Sequence, residues 1–480
     1  MTKTYTKPRN LTMMTDLYQL TMMNGYFLDG SYRNEAVFDV FFRANGQLNY
    51  AIAAGLAQAV DYIKNLTFSE DDLTYLAGLH IFDPAFIEYL RGFSFTGDIY
   101  SVEEGEVVFP GEPIMVVKAP LIEAQLIETT LLNIVSHQTL IATKASRIVM
   151  AAGDKAVVEF GLRRAQGPDA GIYGARASII GGCKGTSNVL AGQMFQIDVK
   201  GTHSHSWVMS YPSELEAFEA FARIYPDNCL LLVDTFDTLK SGVPNAIKVF
   251  KQLRAAGHKP VGIRLDSGDL AYLSKKARVM LDEAGFSDAI IFASNDIDEN
   301  LIAQLRLQDA KIDVYGVGTK LITSHDMPSL GGVYKLAEIE RDGVRYPRMK
   351  FSDTTEKITN PGFKTVYRIY EKGSGKAFAD LIALRDEQPL CKPLTLTHAV
   401  ERWKQTTFAD YDARCLHKQI FARGKCVYEC PPLHESVRFS AEELAKFWDE
   451  YKRLSNPHIY KVDLSDKLYT LKLSLLEAKK

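Results

Sequence analysis

Between Phe160 and Thr319 the chain sets short polar or glycine-rich clusters at recurring intervals, most of them directly behind an apolar run of strand length. They read Glu159-Phe-Gly-Leu-Arg163-Arg164, Gly201-Thr-His-Ser-His205-Ser206, Asp234-Thr-Phe-Asp237, Arg264-Leu-Asp-Ser-Gly-Asp269, Ser294-Asn-Asp296 and Gly316-Val-Gly-Thr319. The runs Cys229-Leu-Leu-Leu-Val233, Pro260-Val-Gly-Ile263, Ala289-Ile-Ile-Phe292 and Ile312-Asp-Val-Tyr315 suit parallel strands buried on both faces. A barrel of parallel strands gathers its reactive groups at strand carboxyl ends. The rhythm therefore predicts one shared site facing an anionic, phosphorylated ligand.

Helix ends are legible between these strands. Ser213 and Glu216 have capping-box spacing, Pro244 suits a first helical turn, and Gly257 and Gly285 fall where C′ glycines belong. A β/α succession closes into a barrel or opens as a doubly wound sheet. Clusters after many strands, with no G-x-G-x-x-G behind the first, favour the barrel. The expected class is α/β: an irregular TIM-like α/β barrel over 141–340, carrying the active site. Residues 1–140 read as an α+β domain with a sheet layer, and 341–480 as a C-terminal module packed on it. Together these two segments would make a mixed, sandwich-like domain. Leu121 to about Met150 predicts one long helix, Lys364–Tyr370 a strand, Ser440 to about Leu454 a polar helix, and Leu468–Lys480 a surface helix.

A formal net charge of -3 provides no basic field, which argues against nucleic acid or an acidic membrane as partner. Bound phosphate must then meet locally placed cations. Neither the start, Met1 to Pro8, nor any later stretch resembles a signal peptide or a spanning helix of roughly 18 apolar residues, so a cytoplasmic location is expected. The cysteines are too sparse for a disulfide framework. Cys391, Cys415, Cys426 and Cys430, with His417 among them, read as free thiols or as a small metal site of unusual spacing.

Chemistry can be assigned cluster by cluster. Arg264 and Asp266, two apart at a strand end, point the same way and suit a sugar phosphate: guanidinium for phosphate, carboxylate for ribose hydroxyls or Mg²⁺. Gly316, Gly318 and Thr319 offer backbone N–H groups to a phosphate, and Ser294 and Asn295 a hydroxyl and an amide. Phe160 beside Arg163 suits a flat anionic ring. His203 and His205 are candidate nucleophiles, for which Asp234 or Asp237 would orient the ring; metal binding by the H-x-H pair competes.

Taken together, Thr15-Asp-Leu-Tyr18-Gln-Leu-Thr, Phe160-Gly-Leu-Arg163, Gly185-Thr186-Ser187-Asn188, Gly201-Thr202-x-x-His205-Ser206, Arg264-Leu-Asp-Ser-Gly-Asp269 and Gly316-Val-Gly-Thr319 resemble the nicotinate phosphoribosyltransferases of NAD salvage, over nearly the whole chain. The resemblance implies phosphoribosyl transfer from phosphoribosyl pyrophosphate to nicotinate, with ATP as co-substrate and Mg²⁺ as cofactor. It makes His205 the phosphorylated histidine and Asp234 its partner. It places nicotinate between Phe160 and the Tyr18 of a second subunit in a head-to-tail homodimer. Thr202 and Arg264 would contact nicotinate or the sugar phosphate, Asp266 the ribose, and Gly318 and Thr319 the 5′-phosphate; His203 would have no key role. Ser187 stands where similar nicotinamide-using enzymes carry an Asp, and a hydroxyl there favours the acid over the amide. The alternatives are the amide-using sister enzyme, an aldolase-like phosphosugar barrel in which Lys320 would be the strand-end lysine, and a non-catalytic pyridine or nucleotide sensor.

Overall fold

The computed structural model describes residues 10–43, 48–352, 357–398 and 401–478. The Met1–Pro8 segment and the last two residues of the expected C-terminal helix lie outside them. The chain divides into two compact units, one of Met1–Thr143 with Ser329–Lys480 and one of Lys144–Pro328. Among the described residues, no helix is long and apolar enough to cross a membrane.

In the second unit, five strands form one parallel sheet in the order Ala156–Glu159, Val314–Val317, Ile290–Asn295, Gly262–Leu265, Leu230–Leu232. Their side chains are almost continuously apolar and buried, as strands covered on both faces require. Isolated parallel bridges from Glu159 to Thr186 and from Thr186 to Val199 prolong the row beyond its first strand. The intervening helices begin at side-chain caps: Asn188 accepts from Ala191 N–H, Ser213 from Glu216, Asp269 from Tyr272 and Asp298 from Leu301. Gly257 and Gly285 take φ values of 86° and 82° just past two helix ends, where a Cβ would be strained. Every strand carboxyl end and the loop that follows it thus come to one edge of this sheet.

The first unit joins both ends of the chain. Its larger sheet pairs the Glu35–Phe42 strand with Gly332–Arg341 on one side and Met115–Pro120 on the other, all antiparallel. A second sheet runs Tyr411–Cys415, Lys364–Glu371, Ala377–Leu384, Lys461–Leu464. Arg368 is fully buried there and reaches Glu106 at 2.5 Å and Asp380 at 2.6 Å.

Two sequence expectations change. The helix expected over Leu121–Met150 is two helices, Leu121–Leu126 and Glu128–Ala152, parted where the Leu126 carbonyl accepts the Thr15 hydroxyl at 3.3 Å. The helix expected from Ser440 instead starts at Leu433, behind Pro431 and Pro432, and ends at Ala445, with a separate turn at Asp449–Lys452. Proline cannot donate to a helical ladder but suits its start, which fixes the earlier boundary. The mixed α/β class stands.

Candidate active site

His205 opens the short helix His205–Met209, and Asp234 follows the Leu230–Leu232 strand. Nε2 of His205 lies 3.2 Å from Oδ1 of Asp234, whose side chain is 1% exposed against 39% for the histidine. The other carboxylate oxygen accepts the Asp266 N–H and the Ser267 hydroxyl, each at 2.7 Å. Because an ionised carboxylate only accepts, the imidazole proton belongs on Nε2, and Nδ1 keeps its lone pair. Asp237, the other candidate orienter, caps the following helical turn instead, accepting from Leu239 and Lys240 N–H.

Arg264 leaves the end of its strand 17% exposed and ties two neighbours together. Its Nε donates to Ser294 Oγ at 2.8 Å and its Nη2 to Asp266 Oδ1 at 2.9 Å; the Ser294 hydroxyl donates to the same Asp266 oxygen at 2.5 Å. The guanidinium also stands 5.6 Å from the centre of the Phe160 ring, which stacks at 5.5 Å and 16° on Phe292. A planar cation, an aromatic face and a carboxylate therefore meet at one strand-end surface, next to His205 and Asp234. That combination suits a ligand carrying a flat ring, a sugar and phosphate groups.

Gly316 lies beneath the aromatics: a Cβ there would come within 2.6 Å of Phe292 and 2.9 Å of Phe160. In this position glycine permits close approach of the rings, a role beyond the phosphate contact expected of it. Gly318 is the residue before the Thr319–Ile322 turn and passes under the Phe160 carbonyl, where a Cβ would be at 3.2 Å. Ser187 is held by its N–H on the Glu159 carbonyl at 2.9 Å. Asn295 ends its strand with an exposed side chain that accepts from Asp296 N–H. Thr202 is half-buried beside His203, Arg163 is exposed on the Leu162–Arg164 turn, and Tyr18 belongs to the other unit, 50% exposed on the Leu17–Leu28 helix.

The sequence reading missed three contributors. Ser267 shares Asp234; Glu159 and Thr186 join below Phe160 and Ser187. His203 is also more than a neighbour. Its buried ring accepts the Leu232 N–H at Nε2 (3.3 Å), and burial pushes it down to about 4, so it is a neutral acceptor whose Nε2 lone pair is taken up by the strand backbone. Among the described residues no group of three or more His, Cys, Asp or Glu is arranged to hold a metal ion. The cysteine-rich stretch reads accordingly: Cys415 and His417 both lie against the Thr365 hydroxyl, and Cys426 donates to the Tyr428 carbonyl.

Family models described as the nicotinate phosphoribosyltransferase N-terminal domain, family and C-terminal domain match residues 13–136, 156–360 and 363–472. The nicotinate phosphoribosyltransferase of Bacillus subtilis is 49% identical over 472 residues, covering 97% of this chain and 95% of that protein. The chain belongs to the nicotinate phosphoribosyltransferase family. That of Dictyostelium discoideum is 35% identical, with 95% of this chain and 87% of the relative covered. The crystal structure of human nicotinic acid phosphoribosyltransferase superposes with a TM-score of 0.86 at 32% identity, over 96% of this chain and 99% of the human one. Membership of the nicotinate phosphoribosyltransferase family thus rests on nearly the full length of the chain. It carries with it the assignment as an enzyme of NAD synthesis from nicotinate.

Proposed function

We propose that this chain transfers the phosphoribosyl group of phosphoribosyl pyrophosphate to the ring nitrogen of nicotinate, releasing pyrophosphate, with ATP hydrolysis coupled through a phosphohistidine at His205. The observation that carries this reading is the hydrogen-bonded chain from His205 through Asp234 to the Asp266 backbone and from the Asp266 side chain to Arg264, whose guanidinium stands 5.6 Å from the centre of the Phe160 ring. It supports a reading in which a nucleophilic histidine, a sugar-binding acid and a ring platform share one surface.

In the transfer step the pyridine nitrogen lone pair forms the bond to C1 of the ribose while the C1–O bond to pyrophosphate breaks. Positive charge grows on the sugar, and Asp266 stabilises it. The ring nitrogen is already a nucleophile, so no general base is required. Phe160 and Arg264 hold the ring, with Arg163, Thr202 and the Ser187 hydroxyl toward its carboxylate. Ser294, Asn295, Gly316, Gly318 and Thr319 line the phosphoribosyl side. In the ATP step Nδ1 of His205 attacks the terminal phosphorus and ADP leaves; water later returns the imidazole and releases phosphate. The added phosphate brings roughly -1.5 to -2 charge into a site built on Arg264, which shifts substrate and product affinity.

Mg²⁺ fits this site only together with substrate. Asp266 commits Oδ1 to Arg264 and Ser294, leaving Oδ2 as the protein oxygen that would hold the ion, and Mg²⁺ characteristically takes few carboxylates plus substrate phosphates. When bound it would neutralise the leaving pyrophosphate. The row of parallel strands closes, in this reading, into an irregular barrel, with His203 bridging the loop before His205 to Leu232. The functional unit is a head-to-tail homodimer in which Tyr18 of the partner subunit covers the open face of the ring held by Phe160; the exposure of Tyr18 and Leu17 supports it.

The test is His205→Ala. Nicotinate-stimulated ATP hydrolysis should vanish while slow, ATP-independent transfer persists at high phosphoribosyl pyrophosphate, and label from the terminal phosphate of ATP should become acid-labile on the parent protein alone. Unchanged ATPase in the variant would remove His205 from its role. Nicotinate and nicotinamide assayed at equal concentration decide between acid and amide.

A further inference from the structure

We infer that Glu159 is the positioning residue that locks together the two turns facing the pyridine ring, the one carrying Phe160 and the one carrying Ser187. The inference rests on the reading of those two residues as nicotinate contacts. Glu159 ends the Ala156–Glu159 strand and is fully buried. One carboxylate oxygen accepts the Gly161 N–H; the other accepts the Thr186 hydroxyl at 2.5 Å. Thr186 Oγ1 in turn accepts the Asn188 N–H at 3.0 Å. The backbone of Glu159 doubles the link, its N–H donating to Gly185 O and its carbonyl accepting from Ser187 N–H, both at 2.9 Å.

A buried carboxylate without a cation is costly to keep. Here the groups bonded to the acid are Gly161 and Thr186, and burial pushes its carboxyl above the usual range. An apolar side chain would leave the Gly161 N–H and the Thr186 hydroxyl without this acceptor, so the two oxygens together hold both turns in one geometry. The phosphoribosyl side has separate supports. Gly316 is paired between Val158 and Ser294 in the parallel sheet, and Gly318 opens the Thr319–Ile322 turn, its carbonyl accepting the Leu321 and Ile322 N–H groups at 3.2 and 3.1 Å; the Glu159 side chain takes part in neither. Loss of the carboxylate should therefore loosen the pyridine pocket and spare the sugar-phosphate pocket.

The experiment is steady-state kinetics of the full-length protein as Glu159→Ala, Glu159→Gln and Thr186→Val, varying nicotinate and phosphoribosyl pyrophosphate separately, with thermal melts alongside. Glu159→Ala and Thr186→Val are expected to raise the nicotinate KM about tenfold, and the phosphoribosyl pyrophosphate KM less than about twofold. Glu159→Gln keeps an acceptor for Gly161 N–H and should return the nicotinate KM to within about threefold of the parent. Equal rises in both KM values, or none in the nicotinate KM, overturn the inference. If Glu159→Ala does not fold, Thr186→Val, which removes one hydroxyl, decides it by the same criterion. Failure of the unsubstituted protein to use nicotinate would instead sink the functional reading beneath.

Discussion

Asp266 donates its backbone N–H to Oδ2 of Asp234 at 2.7 Å, while Oδ1 of the same carboxylate stands 3.2 Å from Nε2 of His205. The acid thus couples the group proposed for ATP chemistry to the strand end that carries the sugar-binding residues. Its two oxygens face donors on both sides, a demand that an amide cannot meet. In Asp234→Asn, the amide oxygen would stay with the Asp266 and Ser267 donors and turn its NH₂ toward His205. The histidine would then accept at Nε2 and carry its proton on Nδ1, the wrong tautomer for attack on phosphorus. We expect nicotinate-stimulated ATPase to fall by about 10³-fold or more, by analogy with other histidines held in the wrong tautomer. The folded structure and basal transfer should survive. A continuous ADP-release assay checks the first, and transfer without ATP the second.

Gly316→Ala tests the aromatic platform. The new methyl would press on both Phe292 and Phe160, and overpacking of this kind typically costs about 1–3 kcal/mol. Phe160 is the half-buried ring of the pair and gives way first. The nicotinate KM should rise about tenfold, with thermal stability lowered by a few degrees, as steady-state kinetics and a melting curve would show.

What the sequence disclosed about this site followed from burial. Apolar runs such as Cys229–Val233 were legible as strands because parallel strands are covered on both faces, and charged residues at their ends have no reason to be there except chemistry or capping. Which of the two could not be told from composition: Asp234 and Asp266 face the site, whereas Asp237 and Asp269 cap helices. Thr186 and Val199 join the strand row through single bridges, with no apolar run to announce them. Glu159 stood in plain view ahead of Phe160, but a carboxylate satisfied by a backbone N–H and a hydroxyl leaves no oppositely charged partner in the sequence. Past residue 340 the strands mix charge with apolar residues and so lack an apolar run to announce them; Arg368 and Asp380 lie fully buried in adjacent strands, paired with each other.

Acid should unfold this protein through its buried histidines. His417 donates from Nε2 to the Pro113 carbonyl at 2.7 Å, so Nδ1, 3.3 Å from the Thr365 hydroxyl, is its acceptor. Burial pushes His417 down to about 4, as it does His203. A depressed folded-state value means that the stabilisation is complete above the unfolded value near 6.5 and is lost as pH falls through about 4. Each histidine adds a slope of about 1.4 kcal/mol per pH unit between those limits. Urea titrations at several pH values should show His417→Gln with a lower stability at pH 7 and a shallower fall toward pH 4; a parallel fall would assign the acid sensitivity elsewhere.

Arg368 tests how the two ends of the chain hold one unit together. Fully buried, it bonds Glu106 at 2.5 Å and both oxygens of Asp380 at 2.9 and 2.6 Å, and donates to the Val107 carbonyl at 2.6 Å. Arg368→Met would leave two buried carboxylates. Glu106 would keep Arg414 at 2.7 Å, while Asp380 would keep the Tyr460 hydroxyl at 3.0 Å and the Glu112 carboxyl, neither of them a cation. Breaking such a buried pair from one side typically costs about 3–5 kcal/mol. Much of that cost is the stranded charge of Asp380, so Arg368→Met with Asp380→Leu should be more stable than Arg368→Met alone. Chemical denaturation of the single and double variants measures the difference. A double variant that unfolds earlier than the single one would show that packing around Arg368, and not the unpaired acid, sets the stability of this unit.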